Sequence, residues 1–271
     1  MLKQRIITAL LLLPIALGGF FLLEGANFAL FIGAVITLGA WEWAQLAGIS
    51  SQPKRCAYAA VVATLMGVLY LCPALAWPLL LLAMLWWVVA TLLVLSYPDS
   101  SRFWVGRPVR LLIGLIVLLP AWQGLVILKQ MPYANGLILA VMVLVWGADI
   151  GAYFSGRAFG KRKLAPQVSP GKSWEGVYGG LLLCLLLTLA LGYYQQWPFA
   201  QHLFALSGTV VVVMISVVGD LTESMFKRNA GIKDSSNLLP GHGGILDRID
   251  SLTAAIPVFA VLLWLAGWGA Q

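Results

Sequence analysis

Long apolar runs separated by short polar stretches dominate the hydrophobic pattern of the chain. Nine such runs lie at residues 6–23, 27–47, 57–72, 78–95, 110–128, 135–154, 177–195, 203–219 and 251–268. A helix needs about 20 mostly apolar residues to cross the hydrocarbon core of a bilayer. The pattern therefore predicts an all-α, polytopic integral membrane protein with about nine transmembrane helices. The run at 57–72 is the shortest, so we expect a short third span that is tilted or interfacial.

Composition supports the same class of protein. Hydrophobic residues fill 61% of the 271 positions and charged residues only 10%, whereas a soluble domain has about 25% charged residues. The formal net charge is +7. Because the basic residues lie beside the apolar runs, they indicate membrane orientation and contact with anionic lipid headgroups, and we expect no nucleic-acid partner.

The basic residues also predict an orientation. With nine spans and a cytoplasmic N-terminus, 16 of the 17 Lys and Arg residues fall on the cytoplasmic side, and Lys129 falls outside. This bias is typical of the cytoplasmic loops of membrane proteins. The outer loops are short and nearly uncharged, so we expect the chemistry at the cytoplasmic face.

The character of the chain changes near residue 129. Residues 1–128 contain about five spans with few ionisable groups, Glu42 among them, and we interpret them as a transmembrane scaffold. In residues 129–271 polar groups enter the spans and the cytoplasmic loops lengthen. This second part is predicted to be the catalytic region.

The densest polar stretch runs from Ser224 to Asp250, between the last two spans. Together with Asp220 and Glu223 it holds five of the ten carboxylates, four of the 17 Lys and Arg residues and one of the two histidines. Carboxylates can bind a divalent cation, basic groups can bind phosphates, and a Pro-Gly-His-Gly-Gly turn lets backbone approach a ligand closely. The stretch therefore predicts an active site that acts on phosphates.

The exit of the eighth span carries one of two acidic pairs. Asp220, Glu223, Ser224 and Lys227 are spaced i, i+3, i+4, i+7, so a helical continuation would align them on one face. We expect Asp220 to bind a metal ion. For Glu223 the alternative is a surface ion pair with Lys227.

The second acidic pair, Asp247 and Asp250, opens the last span. The two pairs together could converge on one hydrated Mg²⁺, which prefers a few carboxylates and substrate phosphates. His242 lies between two glycines, and two interpretations stay open: action on a leaving phosphate, or a cap of the turn.

Two further motifs precede this stretch. Asp149 follows thirteen largely apolar residues, where a carboxylate is expensive and is by default a functional-site hypothesis. Tyr153 lies one turn later and could orient it. The alternative is a structural ion pair with a neighbouring helix.

The motif Ser169 to Gly176 opens the seventh span without completing a phosphate-loop pattern, and no strand is expected before it. A helix N-terminus with Lys172 would still attract phosphate. The alternative is a helix cap made by Ser173 and Glu175.

These motifs resemble one known family. The run S-x-x-K-R-x-x-x-x-K-D-x-S-x-x-L-P-x-H-G-G-x-x-D-R-x-D, from Ser224 to Asp250, is similar to the signature of phosphatidate cytidylyltransferases, also called CDP-diacylglycerol synthases. The resemblance continues through D-x-x-A-Y-x-x-G-R-x-x-G-K from Asp149 and S-P-x-K-[ST]-x-E-G from Ser169, where this chain has Ser173 in place of the more usual Thr. It covers residues 140–271 well, and the first half only as a multi-span region.

The resemblance implies a reaction in which CTP and phosphatidic acid give CDP-diacylglycerol and pyrophosphate with Mg²⁺, and it leaves open a second cation. It further implies an enzyme of a bacterial inner membrane that forms a homodimer. The implied catalytic residues are Asp220, Asp247, Lys227, Arg228, His242 and Arg248. The implied substrate-binding residues are Ser169, Lys172, Ser173, Lys233, Tyr153 and Ser224. The implied metal ligands are Asp220 and Asp247, with Asp149, Glu223 and Asp250 as further ligands or supporting groups.

Two alternatives remain. One is another membrane transferase or kinase that uses CTP or a lipid phosphate. The other is a transporter of an anionic solute, which would more often place ionisable groups near the bilayer midplane and show related halves. Here the charge lies at one face and the halves differ.

Overall fold

The computed structural model describes residues 2–268, with side chains described for Thr8 and from Leu10 onwards. In this range the α-helices are α1 (Leu2–Phe21), α2 (Gly25–Leu46), α3 (Gln52–Leu71), α4 (Ala76–Leu95), α5 (Arg107–Gln130), α6 (Ala134–Phe159), α7 (Trp174–Tyr194), α8 (Phe199–Asn229) and α9 (Leu246–Leu265). Short 3₁₀ helices, Pro73–Leu75 and Asp99–Phe103, precede α4 and α5, and two strands, β1 (Lys163–Ala165) and β2 (Ser169–Ser173), lie between α6 and α7.

Each predicted apolar run corresponds to one helix, which confirms the all-α membrane architecture. Within the described residues eight helices, α2 to α9, are long and apolar enough to cross a membrane, and the apolar part Leu10–Phe21 of α1 is shorter. The third helix has 20 residues, so the expectation of a short third span was wrong. It begins five residues earlier than predicted because Ser51 and Pro53 start the helix within the polar flank.

The segment before α7 differs from the prediction. Residues 163–173 form a small antiparallel hairpin in which Lys163 pairs with Ser173 and Ala165 with Ser169. The motif from Ser169 therefore runs as a strand, and the helix begins only at Trp174. Hydrophobic periodicity cannot reveal so short a polar strand, because it buries little apolar surface.

Helix α8 continues well beyond its apolar run. It was predicted to leave the membrane near residue 219, and it extends as one helix to Asn229. The residues at 220, 223, 224 and 227 are therefore on a regular helix, as their spacing had suggested. This extension carries polar side chains from the membrane edge into the site.

The helices of the first half pack directly against the last two helices. Trp43 on α2 lies 5.0 Å from Phe226 on α8 between ring centroids, and Trp104 lies 4.5 Å from the same ring. All three rings are almost fully buried. The buried core thus runs through both halves of the chain, and the proposed boundary near residue 129 stays a prediction about sequence character.

Hydrogen bonds between distant residues gather the predicted cytoplasmic loops at one end of the bundle. Thr8 Oγ1 on α1 donates to the carbonyl of Pro240 (3.0 Å). At the same end Trp43 Nε1 donates to the carbonyl of Arg110 (2.8 Å), near the start of α5. This end therefore brings together the start of α1, the end of α2, the start of α5 and the 230–245 loop.

Candidate active site

An ion pair between Lys172 and Asp220 lies at the centre of the site. Strand β2 supplies Lys172 and helix α8 supplies Asp220 Oδ2. The other carboxylate oxygen, Oδ1, accepts a hydrogen bond from Ser224 Oγ (3.1 Å) one turn further along α8. About a quarter of each charged side chain remains exposed, so both can reach a ligand.

A first cleft, here called the α6–α8 cleft, opens beside this ion pair. Its volume is about 390 Å³. Its polar lining is Asp149, Tyr153, Arg157, Lys172 and Ser173, and its apolar lining includes Val177, Val213 and Val217. Because Val213 and Val217 lie within the apolar part of α8, the cleft joins the polar end of the bundle to the membrane-spanning region.

Asp149 and Tyr153 do not pair as expected. The hydroxyl of Tyr153 accepts a hydrogen bond from Arg157 Nη1 (3.2 Å), on the next turn of α6. Asp149 instead lies within electrostatic range of Lys172 and Asp220. No hydrogen bond joins Tyr153 to Asp149 among the described residues, so the interpretation that Tyr153 orients Asp149 stays a prediction.

Ser173 makes the helix cap that was one of the two interpretations of its motif. Its Oγ accepts a hydrogen bond from the backbone N–H of Gly176 (3.2 Å), and its side chain is buried. Glu175 accepts from Arg162 Nε (3.0 Å) and fixes the hairpin to α7. Lys172 is left to face the cleft, while half-buried Ser169 lies at the other end of β2.

A second cleft, here called the loop cleft, lies in the 233–248 segment and measures about 440 Å³. Its lining contains the predicted residues Lys233, His242 and Arg248, together with Asp234 and Asn237. Lys233 and Arg248 are exposed. The Nδ1 atom of His242 is buried and has no hydrogen-bond partner among residues 2–268. The cleft therefore presents basic groups and an unsatisfied imidazole to a ligand.

The turn at 239–243 shapes this cleft and requires glycine. Leu239 N donates to the carbonyl of Gly243 (2.8 Å), and His242 N donates to that of Leu239 (2.8 Å). Gly243 has a φ of +83°, and a Cβ there would lie 2.8 Å from Asp247 Oδ2. A side chain at this position would be strained and would collide with Asp247.

Lys227 sits in a buried cluster of charges. Its Nζ lies 2.7 Å from Asp247 Oδ1 and 3.0 Å from Glu223 Oε1. The side chains of all three residues are at most 10% exposed. The alternative interpretation of Glu223, an ion pair with Lys227, is therefore confirmed, except that the pair is buried and not on the surface.

Asp247 is bonded through both of its carboxylate oxygens. Its Oδ1 accepts from Lys227 Nζ (2.7 Å), and its Oδ2 accepts from Ser235 N (2.9 Å), Ser235 Oγ (2.9 Å) and Gly244 N (2.8 Å). These contacts tie the start of α9 to the 230–245 loop. These hydrogen bonds fix the orientation of the Asp247 carboxylate before any ligand binds.

The remaining predicted residues lie around the ion pairs and hydrogen bonds described above. Asp250 accepts from the N–H of Ser251 (2.7 Å) and lies within electrostatic range of Asp220 and Lys172. Exposed Arg228 donates from Nε to the carbonyl of Val168 (3.2 Å) and so joins α8 to the hairpin. The structure thus gathers the predicted residues at one end of the bundle, around two neighbouring clefts.

The carboxylates suit a hard cation such as Mg²⁺. Both carboxylate oxygens of buried Glu223 lack a hydrogen bond of good geometry from the described residues, and Asp220 is partly open to solvent. Across residues 2–268, no three His, Cys, Asp or Glu side chains form a ready metal-binding group. Mg²⁺ commonly uses one or two carboxylates and completes its shell with water and substrate phosphates. The donor set fits that mode of binding.

Sequence reasoning overlooked one residue of this end of the bundle. Glu42 on α2 was assigned to the scaffold, yet its carboxylate is completely buried and contacts residues 235, 236, 245 and 246. A signal was present, because an ionisable residue inside an apolar run is by default a functional hypothesis. Its partners were hidden, since they lie about two hundred positions away.

Comparison with known proteins shows the family of the chain. The cytidylyltransferase family model matches residues 3–266. A protein of Pseudomonas aeruginosa named phosphatidate cytidylyltransferase is 74% identical over 270 residues, which cover 100% of both chains. A protein of Haemophilus influenzae with the same name is 46% identical over 96% of this chain and 98% of its own. This chain belongs to the cytidylyltransferase family.

Proposed function

We propose that the protein transfers the cytidylyl group of CTP to phosphatidic acid, which yields CDP-diacylglycerol and pyrophosphate. The observation that carries this function is the full-length match at 74% identity to a protein named phosphatidate cytidylyltransferase. The two clefts at the polar end of a membrane bundle suit a reaction between one water-soluble and one lipid substrate. The protein is a nucleotidyltransferase of phospholipid biosynthesis.

The clefts suggest where each substrate binds. The α6–α8 cleft reaches from Lys172 down to Val213, so it suits a lipid whose phosphate stays at the polar end while its chains follow the helices. The loop cleft carries Lys233, Arg248 and His242 and suits a triphosphate. Lys172 lines the first cleft and pairs with Asp220, and in this proposal the two substrates meet beside this ion pair.

The chemistry is an in-line displacement at the α-phosphorus of CTP. An oxygen of the lipid phosphate forms the new P–O bond, and the bond to the β-phosphate oxygen breaks, so that pyrophosphate leaves. Such transfers depend on positioning and charge neutralisation more than on covalent participation by the protein. In this proposal Lys172 and Arg228 hold the lipid phosphate, Lys233 and Arg248 hold the triphosphate, and His242 assists the leaving group.

Hydroxyl groups and the buried lysine support these contacts. Tyr153 and Ser173 line the α6–α8 cleft and can donate to the lipid phosphate. Ser224 holds Asp220 in place. Ser169 anchors the β2 strand that carries Lys172. Lys227 holds Asp247 and Glu223 together, so its proposed contribution is to the arrangement of the carboxylates.

Mg²⁺ would be held by Asp220 and Asp247, with Asp149, Glu223 and Asp250 close enough to take part or to support them. When bound, it would neutralise charge on the phosphates of CTP. Asp247 Oδ2 already accepts three hydrogen bonds, so Oδ1 is its available ligand atom, and Lys227 would have to share it.

The proposed location is a bacterial inner membrane with the active site at the cytoplasmic face. The bacterial relatives and the eight described helices that are long and apolar enough to cross a membrane support the membrane location. The cytoplasmic location of CTP and the 16 basic residues predicted on one side support the orientation. Family resemblance alone supports a homodimer, which the mass of the purified protein–detergent particle would test.

The test is lipid-dependent turnover by purified protein. The expected result is release of pyrophosphate when CTP, Mg²⁺ and phosphatidic acid are all present, with CDP-diacylglycerol identified by mass spectrometry. ATP, GTP or UTP should support far less turnover. Folded, lipid-bound protein that releases no pyrophosphate with any nucleotide would contradict the proposal and would direct attention to transport assays.

A further inference from the structure

Glu42 on α2 is the only carboxylate in the described part of the chain that receives two hydrogen-bond contacts on each oxygen from a distant loop. Oε1 accepts from Ser236 Oγ (2.5 Å) and Ile245 N (3.0 Å). Oε2 accepts from Leu246 N (2.6 Å) and Ser235 Oγ (3.1 Å). The side chain is completely buried in an otherwise apolar helix.

All four contacts come from donors, which suits an acceptor-only carboxylate. The neighbouring buried base, Arg55, donates from Nε to the carbonyl of Trp41 (3.1 Å) and lies 3.6 Å from the centre of that ring. Glu42 is thus oriented by the 235–246 segment, and that segment in turn by Glu42. Buried charge–dipole contacts of this kind are stronger than neutral hydrogen bonds.

Two of these donors are backbone groups at the beginning of α9. Ile245 is the N-cap residue of this helix, and it makes no side-chain cap. The first N–H groups of a helix need acceptors, and a negative charge stabilises a helix N-terminus. Glu42 supplies both from another helix. It therefore stabilises the beginning of α9, whose first turn contains Asp247.

Glu42 and Asp247 are also connected through one hydroxyl group, that of Ser235. Ser235 Oγ is fully buried and lies 3.1 Å from Glu42 Oε2 and 2.9 Å from Asp247 Oδ2. A hydroxyl has one proton, so the two carboxylates share one donor. Gly244 permits this approach, because a Cβ there would lie 2.5 Å from Glu42 Oε1.

We infer that Glu42 is a positioning residue of the active site, which holds the 235–246 segment and the start of α9 so that Asp247 faces the reacting phosphates. The expected effect of Glu42 on turnover rests on the proposed function, whereas its expected effect on the loop does not. Through Glu42, the first half of the chain thus contributes a residue that arranges the active site. Groups that orient a metal ligand typically change activity or metal affinity 10- to 100-fold when removed.

The test compares Glu42→Gln with Trp122→Phe as a matched control. Trp122→Phe also removes a buried hydrogen bond to α2, from Trp122 Nε1 to the carbonyl of Ala29 (3.0 Å), but it lies away from the loop. We expect Glu42→Gln to lower kcat about 10- to 100-fold, and to accelerate hydrogen–deuterium exchange in peptides covering 235–247. Trp122→Phe should lower the unfolding temperature without either effect.

Two outcomes would overturn the inference: unchanged exchange in Glu42→Gln, or equal losses of kcat in both variants at equal folded fraction. If Glu42→Gln does not fold, Ser235→Ala and Ser236→Ala are measured instead. Unchanged hydrogen–deuterium exchange and unchanged kcat in both variants would also overturn the inference. The Glu42→Gln/Ser235→Ala double variant should lose less kcat than the product of the single losses, since the residues act together. If the wild-type protein makes no CDP-diacylglycerol, only the proposed function is refuted. Hydrogen–deuterium exchange still tests whether Glu42 holds the 235–246 segment.

Discussion

Asp220 stands out among the carboxylates of the site because it is both paired and partly open. Its Oδ2 contacts Lys172, its Oδ1 accepts from Ser224, and about a quarter of its side chain is exposed. It can therefore exchange its basic partner for a metal cation. Asp247, by contrast, is enclosed by four donor atoms.

Asp220→Asn should abolish activity without unfolding the protein. Removal of a proposed metal ligand should cost more than the roughly 10- to 100-fold loss typical of groups that only orient one. Loss of a partly exposed ion pair costs only about 0–1 kcal/mol of stability. Steady-state turnover and thermal unfolding in detergent measure the two effects, with exposed Asp99→Asn as the control. Normal turnover in Asp220→Asn would remove Asp220 from the metal site.

Lys227→Met should act mainly on stability. It leaves Glu223 and Asp247 buried without their shared counter-charge, which typically costs about 3–5 kcal/mol. The thermal midpoint should fall clearly, and adding Glu223→Gln should restore part of it. An unchanged midpoint with lost turnover would instead make Lys227 a direct substrate ligand.

At the residue scale, sequence reasoning found contacts only where partners are close along the chain. Glu223 and Lys227 are four apart on one helix, so their pairing could be anticipated from spacing. Lys172 and Asp220 are 48 positions apart, and Glu42 and Ser235 are 193 apart. Without a model of how helices pack, spacing along the chain says nothing about such pairs.

Between elements, the α6–α7 contact depends on small residues. A Cβ at Gly151 on α6 would lie 2.8 Å from the carbonyl oxygen of Gly179 and from the Cα of Gly180. Close backbone approach of this kind is typical of membrane helices with small residues at their interface. Gly180 also lines the α6–α8 cleft, so this contact lies beside the cleft.

Gly151→Val should therefore push α6 away from α7. Overpacking typically costs about 1–3 kcal/mol, and the altered cleft should lower the affinity for phosphatidic acid. Gly136→Val is the matched control, because it lies on the same helix with open space around its Cβ position. Thermal unfolding and the KM for lipid measure the effects; equal behaviour of the two variants would show that the contact does not shape the cleft.

The helices themselves could be predicted from the sequence, since each apolar run is long and each must satisfy its backbone internally in lipid. The hairpin at 163–173 could not, because its strands are short and polar. Nor could the end of α8 at Asn229 be deduced from hydropathy, which reports where a helix leaves lipid and not where it stops. The site is built from these two features as well as from the motifs.

For the whole molecule, the orientation is open to a direct test. In a cysteine-free background, Lys233→Cys should react with a membrane-impermeant maleimide only after cells are disrupted, because the 230–245 loop is proposed to face the cytoplasm. Gln196→Cys, in the α7–α8 turn at the opposite end, should react in intact spheroplasts. The reverse pattern would place the active site outside, where CTP is absent.

The decisive measurement for cytidylyl transfer follows the phosphates of CTP. Purified protein is given phosphatidic acid, Mg²⁺ and CTP labelled either in the α- or in the γ-phosphate. We expect α-label to enter the lipid product and γ-label to leave entirely in pyrophosphate, with one pyrophosphate per labelled lipid. Lipid that carried γ-label would mean a CTP-dependent kinase and would contradict cytidylyl transfer.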